Sequence, residues 1–160
     1  MTGIQLTEAR KQKAWNQRKA ASRLGVSQPY LSLLERGERP ITEELARKAA
    51  RIFRLSPVAL PLKAGQYTAE LVTEDELASD LAMLGYPPFS HLGHPRRANR
   101  RPRKNPAEVL ASALRFGNLD SRLTEALPWV ALRFPALDWP WLVSTAKLND
   151  LQNRLGFVTS

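Results

Sequence analysis

The sequence predicts an all-α chain: five short N-terminal helices, a connecting helix, a basic proline-rich linker and a small C-terminal helical unit. Three observations carry this. Apolar residues recur three and four apart in most segments, the spacing of a helix with one buried face. A Ser, Thr, Asn or Asp stands just before nearly every such segment, where its side chain can accept from free backbone N–H groups. No stretch shows the strict alternation of a half-buried strand, and no repeat is present.

The first helix is expected from a Thr7 cap to about Trp15. Asn16 caps the second, Gln17 to Leu24, and Gly25 supplies its left-handed stop. Ser27 caps the third, which turns Leu31 and Leu34 inward and ends at Gly37. Thr42 caps the fourth, with Leu45, Ala49, Ile52 and Phe53 at helical spacing. Ser56-Pro57-Val58-Ala59-Leu60 reads as a short fifth helix, because proline fits a first turn, where no N–H is needed. Thr73 and Glu76 form a capping box ahead of Leu77, Leu81 and Leu84, and Gly85 ends that helix. Residues 86–104 hold four prolines and six basic residues with little apolar content, the composition of a linker. Asn105-Pro106 then opens a helix carrying Val109, Leu110, Ala113 and Leu114. Asp120 and Asp138 stand as caps for two more; the second runs near 140–155, and Gly156 closes the last. The expected division is a domain over 1–70, a connecting helix over 71–85, a linker over 86–104 and a C-terminal unit over 105–160.

Composition narrows the function. With 43% hydrophobic and 24% charged residues over 160 positions, the chain has the make-up of a folded protein of one medium or two small domains. It has no cysteine, which removes disulfides and thiolate metal sites. The start, MTGIQLTEARKQKAW, lacks the apolar core of a signal peptide, and no apolar run approaches the roughly 18 residues of a membrane span. A cytoplasmic location is the expectation. Residues 1–63 carry 13 basic and five acidic groups, whereas residues 64–95 carry no basic and five acidic ones. The run RRANRRPRK at 96–104 adds six basic groups, and residues 105–160 balance at five of each. Basic blocks attract polyanions. A membrane surface would call for a basic amphipathic helix, and the 96–104 run contains a proline and almost no apolar residue. Nucleic acid is the better partner.

The segment NQRKAASRLGVSQPYLSLLERG, from Asn16 to Gly37, carries the function. Ala20 and Ala21 are small enough for the second and third helices to approach closely, and Gly25 supplies the positive φ that the joining turn needs. Val26, Leu31 and Leu34 fill the core beneath, and the polar face of the third helix stays free. Such a helix can enter a DNA major groove with its N-terminal side chains against base edges.

The stretch from about Arg10 to Leu60 resembles the Cro and phage-repressor (Xre-like) helix-turn-helix family. The likeness rests on Asn16-Gln17, Ala20-Ala21, Leu24-Gly25-Val26-Ser27 and Leu34-Glu35-Arg36-Gly37. It departs at Pro29, which is tolerable in a first helical turn but offers no hydrogen-bonding side chain at a base-facing position. The resemblance implies a dimeric repressor on a double-stranded operator, with Gln28, Pro29, Ser32 and Leu33 facing the bases. Gln28 would pair with adenine, for which an amide is the complementary fork. Asn16, Gln17, Arg18, Tyr30, Arg36 and Arg39 would hold phosphates. The plainer alternatives are that Asn16 is only a helix cap, that Tyr30 is half core, and that Glu35 with Arg10 forms an internal ion pair. The run Arg96, Arg97, Arg100, Arg101, Arg103 and Lys104 reads equally as a solvated linker or as an arm that tracks phosphates.

The last part is neutral and rich in large apolar groups, with Trp129, Phe134, Trp139, Trp141 and Phe157 close together in sequence. Leu142, Ala146, Leu148, Leu151 and Leu155 recur along its final helix. A helical core explains most of them, yet so small a unit buries little surface alone. A partner interface at Trp129, Trp139, Trp141 and Leu151 is therefore the expectation. The block from Asn118 to Phe157 is similar to the C-terminal part of helix-turn-helix antitoxins encoded beside nucleotidyltransferase-type toxins, which implies a toxin as partner. No enzyme, metal or cofactor is expected. His91 and His94 lie in a proline-rich stretch without a carboxylate nearby, and no phosphate-binding glycine loop or nucleophile elbow is present.

Overall fold

The computed structural model describes residues 1–62, 72–92 and 103–159. Every regular element among them is helical, as expected of an all-α chain. The chain divides into two compact units, Met1–Pro61 and Leu62–Ser160.

Unit 1 holds α1 (Gly3–Gln12), α2 (Gln17–Leu24), α3 (Gln28–Glu35) and α4 (Glu43–Phe53), followed by a 3-10 turn at Pro57–Ala59. The last three α-helices begin at their expected caps. Asn16 accepts from the Lys19 N–H at 2.8 Å, Ser27 from Tyr30 at 3.3 Å and Thr42 from Leu45 at 3.3 Å. Gly25 closes α2 at φ +70°, a conformation that costs any other residue strain. Ala20 and Ala21 are buried, and α2 packs against both α3 and α4. Leu6, Leu24, Leu31 and Leu34 are almost fully excluded from water and form the centre of the core with Ala9, Ala49 and Phe53. Val26, expected inside, is only partly buried against it.

α1 starts and ends earlier than its sequence suggests. Thr2, not Thr7, is its cap: Thr2 accepts from the Gln5 N–H at 3.3 Å and the Gln5 side chain accepts from the Thr2 N–H at 2.9 Å. The Thr7 hydroxyl instead donates to the Gly3 carbonyl one turn back, at 3.0 Å. The reason is a close approach. A β-carbon at position 3 would overlap the Leu34 carbonyl oxygen and lie 2.6 Å from that of Glu35, so glycine lets the first turn of α1 rest on the end of α3.

Unit 2 contains α5 (Glu74–Leu84), a 3-10 segment at Pro87–Leu92, α6 (Pro106–Ala113), α7 (Ser121–Arg133), α8 (Trp139–Leu148) and α9 (Gln152–Thr159). The Thr73–Glu76 capping box forms at α5, and Asn105, Asp120 and Asp138 cap their helices. α6 is the hub. All of its residues are buried, and α5, α7 and α8 pack around it. α5 belongs to this core, with Leu77 and Leu81 fully excluded from water.

Two features of unit 2 differ from expectation. The stretch 86–104 begins as packed structure: Tyr86 and Phe89 are buried and meet edge-on at 5.3 Å. At its far end Lys104 pairs with the buried Asp80 of α5 at 2.7 Å. The helix expected near 140–155 is two helices. α8 stops after Leu148, the Asn149 amide donates to the Thr145 carbonyl at 2.8 Å, and Asp150 takes φ +57°. Short Asn and Asp side chains tolerate that left-handed conformation. Gly156 then lies within α9 rather than closing it. Leu148 is 76% exposed, because six residues on from Leu142 a helix has turned about 240°.

Candidate nucleic-acid interface

The first turn of α3 presents Gln28 and Pro29 to solvent, with Pro29 in the position where its missing N–H costs nothing. Ser32 and Leu33 follow one turn on and are half-buried. Leu31 and Leu34 on the opposite side are fully buried. One face thus anchors the helix and the other stays uncommitted.

A chain of polar contacts fixes the entry to this helix. The Gln28 amide donates to the Gln17 carbonyl oxygen at 2.8 Å, and the Gln17 amide donates to Glu35 Oε2 at 2.8 Å. Glu35 also receives Arg10 in a two-pronged ion pair, Nε to Oε1 at 2.6 Å and Nη2 to Oε2 at 3.0 Å. Arg10 spends its remaining Nη1 on the Trp15 carbonyl at 2.9 Å. Burial alone would push the Glu35 carboxyl up, but the Arg10 and Gln17 hydrogen bonds and the Arg10 charge hold it below the ordinary carboxylate range. The expected Arg10–Glu35 pair is present; Gln17 as the link between that pair and Gln28 was not foreseen. Its signal is a glutamine at the start of each of two consecutive helices.

The remaining residues singled out in the sequence are placed as follows. Asn16 caps α2 with its side chain, and Arg18 is exposed beside it. Tyr30 packs partly against the core. Arg36 pairs with Glu38 at 2.7 Å on the surface, and Arg39 is exposed. Arg103 is exposed and Lys104 is held by Asp80; Arg96, Arg97, Arg100 and Arg101 lie outside the described residues, as does His94. In unit 2, Trp129 is half-buried between Tyr86 and Phe134, at ring distances of 5.2 and 6.2 Å. Trp139, Trp141 and Leu151 are also half-buried. The most exposed large apolar groups are others: Leu132 at 82% and Phe157, like Leu148, at 76%. Among the described residues no cluster of His, Cys, Asp or Glu could hold a metal, and no helix is long and apolar enough to cross a membrane.

Two short helices joined at a left-handed glycine, the second with one free polar face, define a DNA-binding helix-turn-helix unit. Residues 6–60 match the family model described as Helix-turn-helix. Unit 1 accordingly belongs to the Cro/C1-type, Xre-like helix-turn-helix family, and the chain is a DNA-binding transcriptional regulator. No curated protein and no solved structure matches the chain.

Proposed function

We propose that the protein is a sequence-specific, dimeric repressor that reads its own operator through α3. The observation that carries this reading is the tethered Gln28 amide on an otherwise free helix face. One Nε2 hydrogen goes to Gln17, which leaves the second hydrogen and the carbonyl oxygen for a base edge. That donor–acceptor pair matches adenine N7 and N6 in the major groove. Ser32 and Leu33 follow along the same face for a base edge or a thymine methyl. Asn16, Gln17 and Arg18, at the positive end of α2, and Tyr30, Arg36 and Arg39 hold the flanking phosphates. Two copies would place half-sites about 34 Å apart, one DNA turn. Footprinting on DNA upstream of the gene, at two salt concentrations, tests this. A short symmetric site that persists at the higher salt is the expected result; diffuse protection that vanishes with salt would refute it.

A second role rests on a separate observation. Leu132, Leu148 and Phe157 leave large apolar surface exposed on unit 2, which supports an antitoxin function in which this half occupies a toxin protein. The full-length triple variant L132D/L148D/F157D should lose neutralisation of the co-encoded toxin while the operator footprint remains. Retained neutralisation would sink the assignment.

A further inference from the structure

α2 carries cations on the side turned away from α3. Gln17 faces α3 through Gln28, whereas Lys19 and Arg23 lie about 200° and 240° round the same helix at 100° per residue. There they flank Trp15, with Lys19 Nζ 5.2 Å and the Arg23 guanidinium carbon 6.0 Å from the ring centre. Trp15 is itself fixed against Phe53 of α4, at 5.6 Å between rings. From α4, Lys48 brings its Nζ so near the end of α2 that a β-carbon on Gly25 would lie 2.8 Å from it. Arg51 and Arg54, one turn and two turns further along, are exposed.

None of these five cations has a carboxylate partner among the described residues. Three of the five acids of unit 1 are engaged elsewhere, Glu35 on Arg10, Glu38 on Arg36 and Glu43 on Arg47; Glu8 and Glu44 form no ion pair with these cations, and Glu44, one turn before Lys48, offsets only part of their charge. Like charges left together on one face repel one another, and an external polyanion relieves that repulsion. Cations spread over two helices suit an extended phosphate backbone better than a single small anion. A lipid surface would need an apolar face to insert, and the aromatic ring here is already committed to Phe53.

We infer that the α2–α4 face is a second, sequence-independent binding site for a phosphate backbone, which takes a second DNA duplex while α3 holds the first. This rests on the reading of α3 as the operator-binding helix. The full-length protein is mixed with an operator duplex and an unrelated duplex that carry different fluorophores, and energy transfer between them is followed against salt. The wild type should bridge the two. The variant K19Q/R23Q/R51Q should lose the bridge, keep single-operator affinity within about twofold, and melt as the wild type does. Because each lost phosphate contact removes about 0.9 from the slope of log affinity against log salt, second-duplex binding by the single variants K19Q and R23Q should each lose about one unit of slope. Bridging unchanged in the triple variant would overturn the inference. So would an equal loss of single-operator affinity, which would place this face on the same duplex. Binding to phosphatidylserine vesicles in place of the second duplex would overturn it as well. A wild type that protects its operator but holds no second duplex overturns the inference alone; a wild type with no operator footprint overturns the reading of α3 and the inference with it.

Discussion

Removing the Glu35 carboxylate separates what the Arg10–Glu35 pair does for stability from what it does for recognition. The two side chains are 13% and 6% exposed, so Glu35→Ala leaves a guanidinium largely out of water with the Trp15 carbonyl as its remaining partner. Breaking a buried pair from one side costs about 3–5 kcal/mol, against about 5–15 kcal/mol for a whole domain. Replacing both partners by apolar groups of similar size is often neutral or stabilising. Arg10→Met with Glu35→Leu should therefore recover most of the loss in urea unfolding, followed by circular dichroism and the Trp15 indole resonance. Recognition should not recover. Gln17 has lost the acceptor that orients it, so Gln28 is no longer held. One net hydrogen bond is worth about 1 kcal/mol, which sets the expected fall in operator affinity at about five- to tenfold, read in a filter-binding titration. A double variant as unstable as Glu35→Ala, or one that binds its operator like the wild type, would refute the argument.

Acid should weaken unit 1 through the same carboxyl. Its folded pKa is lowered, so its contribution is complete above the ordinary value of about 4.3 and disappears as pH falls through that value and then the folded one. Glu35→Gln should flatten the pH dependence of the urea midpoint in that acidic window and nowhere above it. Gln28→Ala should cost about 1–3 kcal/mol of operator binding and leave binding to unrelated DNA unchanged, as competition titrations would show. Gly3→Ala should lower the melting temperature, because the new methyl meets carbonyl oxygens of α3 that belong to rigid backbone; an unchanged melt would mean that α1 can lift off freely. Asp80→Asn should weaken unit 2 by about 1–3 kcal/mol while the operator footprint persists, since Lys104 meets that buried carboxylate.

The legible parts of the sequence were those governed by local chemistry. Asn16, Ser27, Thr42, Thr73, Asn105, Asp120 and Asp138 all act where their residue type places them. The order of helices follows from them, and the family of unit 1 from the motif between Asn16 and Gly37. What stayed hidden needed contacts distant in sequence. The start of α1 is an exception: a cap at Thr7 passes over Thr2 with Gln5, a local capping-box pattern that the structure uses, with Gly3 resting on the end of α3. Tyr86 and Phe89 lie in a proline-rich stretch, and their burial depends on α5 and on Trp129 of α7. Asn149-Asp150 is a local signal that the apolar spacing of Leu142, Ala146, Leu151 and Leu155 masked. At the site, the residues of α3 could be named from the motif, but the Gln28–Gln17–Glu35 chain spans 18 positions and exists only after folding.

α2 is eight residues long, and the helical period separates two sides of it: Gln17 shares one side with Ala20, Ala21 and Leu24, three, four and seven residues on, and Lys19 and Arg23 lie opposite. Ala20, Ala21 and Leu24 face the core. Gln17 faces α3 and sets the recognition helix, and Lys19 with Arg23 face away beside Trp15. A charge change on that far side leaves the Gln17 contacts intact, and a change at Gln17 leaves the far cations in place. On the proposed readings, attraction to a second duplex and the positioning of Gln28 can therefore vary independently, although α2 serves both. The acids support the same division. Glu35 is used to fix geometry and lies beneath the surface, so it does not screen the exposed cations. Unit 1 keeps its exposed cations unscreened by Glu35, and Gln28 tethered through Gln17, because this best-buried carboxylate is turned inward.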